Sequence, residues 1–279
     1  MGIPAVHDLS GVGRHLQDHV NVPVQFHCTR PALSFAKRQR IDIALWIGAR
    51  YLLTGTGPAA SPFWGAAGFK SLSADSFPDL EFYFTPMVIT EDLNSEIDGQ
   101  TPMLEKLGAK LFARGKRAIS GFQFDMNLLR PTSHGNVTLA SPDARDQPHI
   151  DFNYLADCGE MAIAVAAVKE ARRIASQPAL QAINGGEISP GKHVCSDTEL
   201  LDAIKLVANT GQHPVSTCRM GVDPGAGDVV DGHCRVFGVG RLRIVDASIF
   251  PRQICGNPTA PIMAMAEKAA DLILGRTSA

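Results

Sequence analysis

The stretch Gly121-Phe122-Gln123-Phe124-Asp125-Met126-Asn127-Leu128 places an apolar side chain at every second position. That period predicts a β-strand with one buried face. The turn residues Pro131-Thr132-Ser133-His134-Gly135 follow, and Asn136-Val137-Thr138-Leu139 alternates again. The two runs predict an antiparallel pair joined by a short loop. Working outward, Pro78 to Phe84 alternates for part of its length and predicts a half-buried strand. Ile41 to Leu53 predicts a helix, broken by the Gly, Pro and Ser residues of Gly55 to Pro62. Asp157, with Glu160 three residues on, predicts a capped helix whose Met161, Val165, Val168 and Ile174 keep helical spacing. Ser196 or Asp197 opens another, with Leu200, Leu201, Ile204 and Val207 inward and Gly211 as its stop. Leu242 to Asp246 reads as a strand, and a last helix runs from about Pro261 to Leu274, ending at Gly275. Ile3 to Val6 reads as a short extended piece, and Thr90 to Gly115 as a mobile loop with a short helix. Strands and helices occur without strict βαβ alternation, so the expected class is α+β.

The 279 residues are 45% hydrophobic and 19% charged, and mean hydropathy is near zero at +0.01. Such a chain buries a sizeable core and has no compositional mark of disorder. Its 26 basic and 28 acidic residues leave a net charge of −2, which argues against broad attraction to nucleic acid or an anionic membrane. No run approaches the ~18 apolar residues of a membrane span. Cys28, Cys158, Cys195, Cys218, Cys234 and Cys255 form no CxxC pair and are expected as buried free thiols. The N-terminus shows no secretory signal, which makes a cytoplasmic location the default expectation.

Three groups of residues are candidates for chemistry. Gly11-Val12-Gly13 and Gly225-Ala226-Gly227 each supply two glycines of the three that a dinucleotide fingerprint needs, so both read as turns. His15 and His19 stand four apart, but the Glu of a zinc-protease helix is missing and no third ligand can be named. No metal is expected. The third group is Gln212-His213-Pro214-Val215-Ser216-Thr217-Cys218-Arg219-Met220-Gly221. A histidine after a helix end, locked by proline among small polar groups, suits either a general base or a buried, hydrogen-bonded turn histidine.

The C-terminal third adds Val245-Asp246-Ala247-Ser248-Ile249-Phe250-Pro251 and Gly256-Asn257-Pro258-Thr259. With the His213 loop, these runs resemble the glucose–methanol–choline (GMC) family of flavin-dependent alcohol oxidoreductases. Gly11-Val12-Gly13-Arg14-His15-Leu16-Gln17-Asp18-His19 is similar to a further family segment, with His15 in place of the usual Asn. Leu128 to Gly135 is similar to the family's middle region. The resemblance covers essentially the whole chain. The family's complete glycine fingerprint is not in this sequence, so the chain looks like the C-terminal half of such an enzyme.

The resemblance implies an FAD-dependent oxidoreductase acting on an alcohol CH–OH group. His213 would accept the hydroxyl proton and Asn257 would hydrogen-bond the alkoxide. Asp246, Ala247, Asn257, Pro258 and Thr259 would border FAD, with the last helix's N-terminus facing the flavin edge that gains negative charge. Residues 1–24 and 206–279 would belong to the FAD domain, and 25–205 to an antiparallel-sheet substrate domain. Gln212 stands where choline oxidases carry an aromatic residue, which favours an uncharged primary alcohol as much as choline. The rival readings are a non-catalytic remnant that binds no FAD alone and, behind it, a metal-dependent hydrolase built on His15 and His19. The missing half would be required as a partner, with no nucleic acid and no membrane span.

Overall fold

The computed structural model describes residues 2, 4–39, 41–61, 64–73, 77–88 and 119–276. The fold is organised around an antiparallel sheet. Its strands are β1 (Val20–Cys28), β2 (Ala66–Lys70), β3 (Leu80–Thr85), β4 (Gly121–Leu128) and β7 (Asn184–Ser189), in the spatial order β2-β3-β4-β1-β7. The short β8 (Asn209–Thr210) pairs with the start of β1. A separate ribbon joins β5 (Asn136–Thr138) to β6 (His149–Asp151). The helices are α1 (Ile41–Thr54), α2 (Cys158–Ala175), the single turn α3 (Pro178–Gln181), α4 (Asp197–Val207) and α5 (Thr259–Leu274). This is the expected α+β class.

Alternation in β1 and β4 puts Val20, Val22, Val24 and Phe26 beside Phe122, Phe124, Met126 and Leu128 on one face. Against them lies the small-residue side of α2, Ala164, Ala167, Ala171 and Ala175, together with Leu200 and Ile204 of α4. Alanines let the helix approach the sheet closely. Each large buried side chain contributes about 2 kcal/mol, and a substitution such as Ala167→Leu would overpack the contact at a cost of about 1–3 kcal/mol. A second, smaller core gathers Val229, Val230, Cys234, Val236, Ile249 and Ala269.

Several expectations need correction. The period of residues 121–128 is right, but both faces of β4 are buried. Its polar row survives burial through bonds among sheet neighbours: Gln25 Nε2 donates to Gln123 at 2.8 Å, and Gln123 and Thr85 both donate to Asp125. The run 136–139 does not pair with β4, because β1 and β3 already fill both of its edges. It bonds instead to β6 and to Gly13, whose carbonyl accepts from Val137 N at 2.7 Å. Leu242–Asp246 forms the single bridge Arg235–Arg243 rather than a strand, and its Ile244 and Val245 pack against the second core instead of joining a sheet. Gly211 does not stop α4, which ends at Val207. It follows β8 and donates its N–H to the His19 carbonyl at 2.7 Å.

Helix starts are closer to expectation. Ser196 forms a reciprocal capping box with Glu199, and Asp157 caps α2. Glu160, however, turns away from its own helix and accepts from the Thr132 and Ser133 backbone and the Ser133 hydroxyl, tying α2 to the turn after β4. Of Ile3–Val6, Pro4 to Val6 join no sheet, and Ile3 lies outside the described residues, as does Thr90–Gly115. The six cysteines are free, but only Cys28 and Cys234 are buried. Among the described residues no helix is long and apolar enough to cross a membrane.

Candidate active site

The segment leading into β1 and the segment following α4 run antiparallel. Gln17 N and Val215 N each donate to the other residue's carbonyl, at 3.2 and 2.9 Å. That register sets His19 opposite His213. Their rings meet edge to face with centroids 5.0 Å apart, and their Nδ1 atoms lie 3.0 Å apart. Asp18, buried beside them, accepts from His213 N at 2.8 Å and also from the Tyr154 and Thr210 hydroxyls. Gln253 Nε2 donates to the His213 carbonyl at 2.8 Å, while Gln17 Oε1 accepts from Gln253 N at 2.9 Å. Gln212 and Ser216, on either side, hold left-handed φ values of 64° and 75°. Such backbone strain persists only where the surroundings over-determine it.

The protons of the pair follow from one carbonyl. His19 Nε2 lies 2.9 Å from Ile254 O, which can only accept. Burial, with the neighbouring His213 adding to it, lowers the His19 pKa to about 4, so at neutral pH the ring carries one proton. That proton sits on Nε2, and Nδ1 is the acceptor. His213 Nδ1 must then be the N–H donor, which leaves a lone pair on His213 Nε2. Burial also lowers the His213 pKa, with Asp18 opposing the shift. The arrangement supplies a neutral imidazole in one tautomer.

Asn257 sits on the exposed side of the same segment, three residues beyond Ile254. Its side chain does not cap α5, whose N-cap is Pro258. It instead meets Tyr83 of β3, Nδ2 donating to the phenol oxygen at 2.8 Å, and Tyr83 donates to Glu81 at 2.8 Å. Asp246 accepts from Ser248 N at 2.8 Å, and the Ala247 carbonyl receives Ser216 N at 3.4 Å. Pro258 is buried and Thr259, the first residue of α5, is exposed.

The structure thus brings His213, Ala247 and Asn257 onto adjoining segments, although His213 and Asn257 share no hydrogen bond. It separates His15 from His19: His15 packs edge to face on His134, with ring centroids 5.8 Å apart. Among the described residues no cluster of three or more His, Cys, Asp or Glu groups could hold a metal. Gly11 packs backbone to backbone on Gly227, where a Cβ would come within 2.0 Å of the Gly227 oxygen. These two glycine doublets meet each other. Sequence reasoning missed Asp18, Gln253, Glu81, Tyr83 and the partnership of His19. For Asp18 and His19 the signal was the Gly11–His19 segment itself.

Residues 131–266 match the model of the family described as GMC oxidoreductase. The oxygen-dependent choline dehydrogenases of Brucella anthropi and Pseudomonas fluorescens are each 38% identical over 99% of this chain, covering 47% and 45% of their own lengths. The chain is similar to the GMC oxidoreductases along its whole length. It spans about half the length of the relatives it matches. The GMC fold is matched by a variant of the formate oxidase of Aspergillus oryzae RIB40 (TM-score 0.81, 22% identity, 98% of this chain and 49% of that one). The pyridoxine 4-oxidase of Mesorbium loti matches with a TM-score of 0.74 and 23% identity over 99% of this chain and 46% of its own.

Proposed function

We propose that this chain is the substrate-facing part of an FAD-dependent enzyme that oxidises the CH–OH group of an alcohol. The observation that carries the reading is the His19–His213 pair, whose carbonyl-fixed tautomer leaves a basic lone pair on His213 Nε2. His213 Nε2 takes the hydroxyl proton, and Asn257 donates an amide N–H to the oxygen as it becomes an alkoxide. FAD, when bound, supplies the acceptor for the hydride that leaves the carbon, and the product is the carbonyl compound.

The residues present fit that cofactor. The α5 N-terminus has no side-chain cap and no acidic residue in its first turn, so its free N–H groups suit an edge that gains negative charge. The buried Ser216 hydroxyl, next to Ala247 in the backbone bonding, has no partner among the described residues. Asp246, Ala247, Asn257, Pro258 and Thr259 are the residues assigned to hold the flavin. Residues 25–205 are assigned to substrate binding, with 1–24 and 206–279 on the flavin side. Support for that division comes from the second core, which draws on Leu9 and on residues 218–269, while β1 carries Val20, Val22 and Val24 across the boundary into the sheet core.

The substrate class is a primary alcohol. Choline is a candidate from the relatives' names, and an uncharged primary alcohol stands beside it because exposed Gln212 offers no aromatic face to a quaternary ammonium. The test joins the chain to a segment carrying the complete glycine fingerprint and follows dye reduction with choline and with uncharged primary alcohols. A joined protein that holds FAD yet oxidises neither would overturn the assignment. The second reading, a fold that binds no flavin by itself, is favoured by the absence of that fingerprint from this sequence. Flavin absorbance of the purified chain tests it.

A further inference from the structure

Glu81 and Tyr83 lie two residues apart on β3 and so share one face of the sheet. Their register partners on β4 are Asn127 and Asp125, members of the buried polar row. Glu81 is itself buried, and among the described residues no cation pairs with it. Its Oε1 receives the Tyr83 hydroxyl at 2.8 Å, and both amide atoms of Asn257 lie against the Tyr83 oxygen, Nδ2 at 2.8 Å and Oδ1 at 3.0 Å. Trp64 lies against the Tyr83 ring with centroids 5.7 Å apart.

A phenol has a single proton to give. The Tyr83 hydroxyl reaches two acceptors, Glu81 Oε1 at 2.8 Å and Asn257 Oδ1 at 3.0 Å. Given to Glu81, the shorter contact, its proton leaves only lone pairs toward Asn257, so the amide bonds to it through its NH2. One Nδ2 proton is then held by Tyr83 and the other is free in a fixed direction. We propose that Glu81 and Tyr83 are positioning residues, a two-step hydrogen-bond relay that sets the amide orientation of Asn257 and thereby aims its free N–H at the substrate oxygen. The inference rests on Asn257 as the group that holds the alkoxide. Burial and the bond to Glu81 push the Tyr83 phenol up to about 12, so it keeps the relay proton across the working range.

The experiment labels the 279-residue chain with [15N]asparagine and identifies the Asn257 side-chain resonance by its loss in Asn257→Asp. The resonance is expected to move in Tyr83→Phe and in Glu81→Leu, and to stay in place in Glu81→Gln, whose amide oxygen still accepts from Tyr83. In the FAD-loaded enzyme, Tyr83→Phe and Glu81→Leu are expected to lower kcat by about 10–100-fold with KM nearly unchanged, and Glu81→Gln by no more than about threefold. A resonance unmoved by Tyr83→Phe would overturn the relay. So would a folded Glu81→Gln chain in which it moves as far as in Glu81→Leu, a contrast that holds even if Tyr83→Phe does not fold. A resonance that moves as expected, while Asn257→Ala keeps wild-type turnover, supports the relay and removes Asn257 from the chemistry instead.

Discussion

His19 Nδ1 lies 3.0 Å from His213 Nδ1, and the Ile254 carbonyl on the other side of His19 decides which ring supplies the proton between them. A backbone oxygen cannot change its role. The tautomer of His213 is therefore set by an atom 41 positions away in sequence that does not touch it.

His213→Ala is expected to lower turnover of the FAD-loaded enzyme by about 10²–10⁴-fold, the range for a general base. Flavin content, read from absorbance, should be largely kept. Turnover within a few-fold of wild type would remove His213 from the mechanism.

The base must be neutral, and burial holds its pKa below the ordinary 6.5. The expected kcat/KM profile rises with pH through an apparent pKa below 6.5 and is flat above it. A rise centred above 7 would point to a different base.

The same burial makes a stability prediction. His19 takes its proton at about pH 4 when folded, against 6.5 when unfolded, so the unfolded chain binds more protons between those values. Unfolding free energy should therefore increase with pH across that window, with His19 contributing about 3 kcal/mol. Urea melts at intervals from pH 4 to 7 measure it, and the slope should shrink in His19→Phe.

Asn257→Ala is expected to cost about 10–10³-fold in turnover, up to the loss of one oxyanion donor. Asn257→His should recover part of this, because an imidazole N–H can also donate to the oxygen. Steady-state kinetics on both variants decide between this role and a purely structural one.

Asp18→Ala should destabilise the fold by about 2–3 kcal/mol, because the His213 N–H and the Tyr154 and Thr210 hydroxyls lose a buried acceptor together. Denaturant midpoints give the number. An effect under about 0.5 kcal/mol, the level of an ordinary surface change, would show that water replaces the carboxylate.

What the sequence determined by itself is local. The two-residue period of 121–128 set β4 and its apolar face, Ser196 with Glu199 set the start of α4, and Gly275 set the end of α5, because each depends on residues within a turn or two. The His213 and Asn257 motifs were legible for the same reason, as contiguous runs. Tertiary structure decided what touches what. An alternating strand does not state which neighbours will fill its edges, so β4 took β1 and β3 rather than 136–139. Glu160 could have capped its own helix but reached the turn after β4, a contact no helical spacing encodes. His19, weighed with His15 as a metal pair and set aside because no third ligand could be named, gained its meaning from His213, 194 residues away. Hydrogen-bond partners at that separation are fixed by the path of the chain through the sheet. Only the folded register of Gln17 against Val215 brings those two rings together.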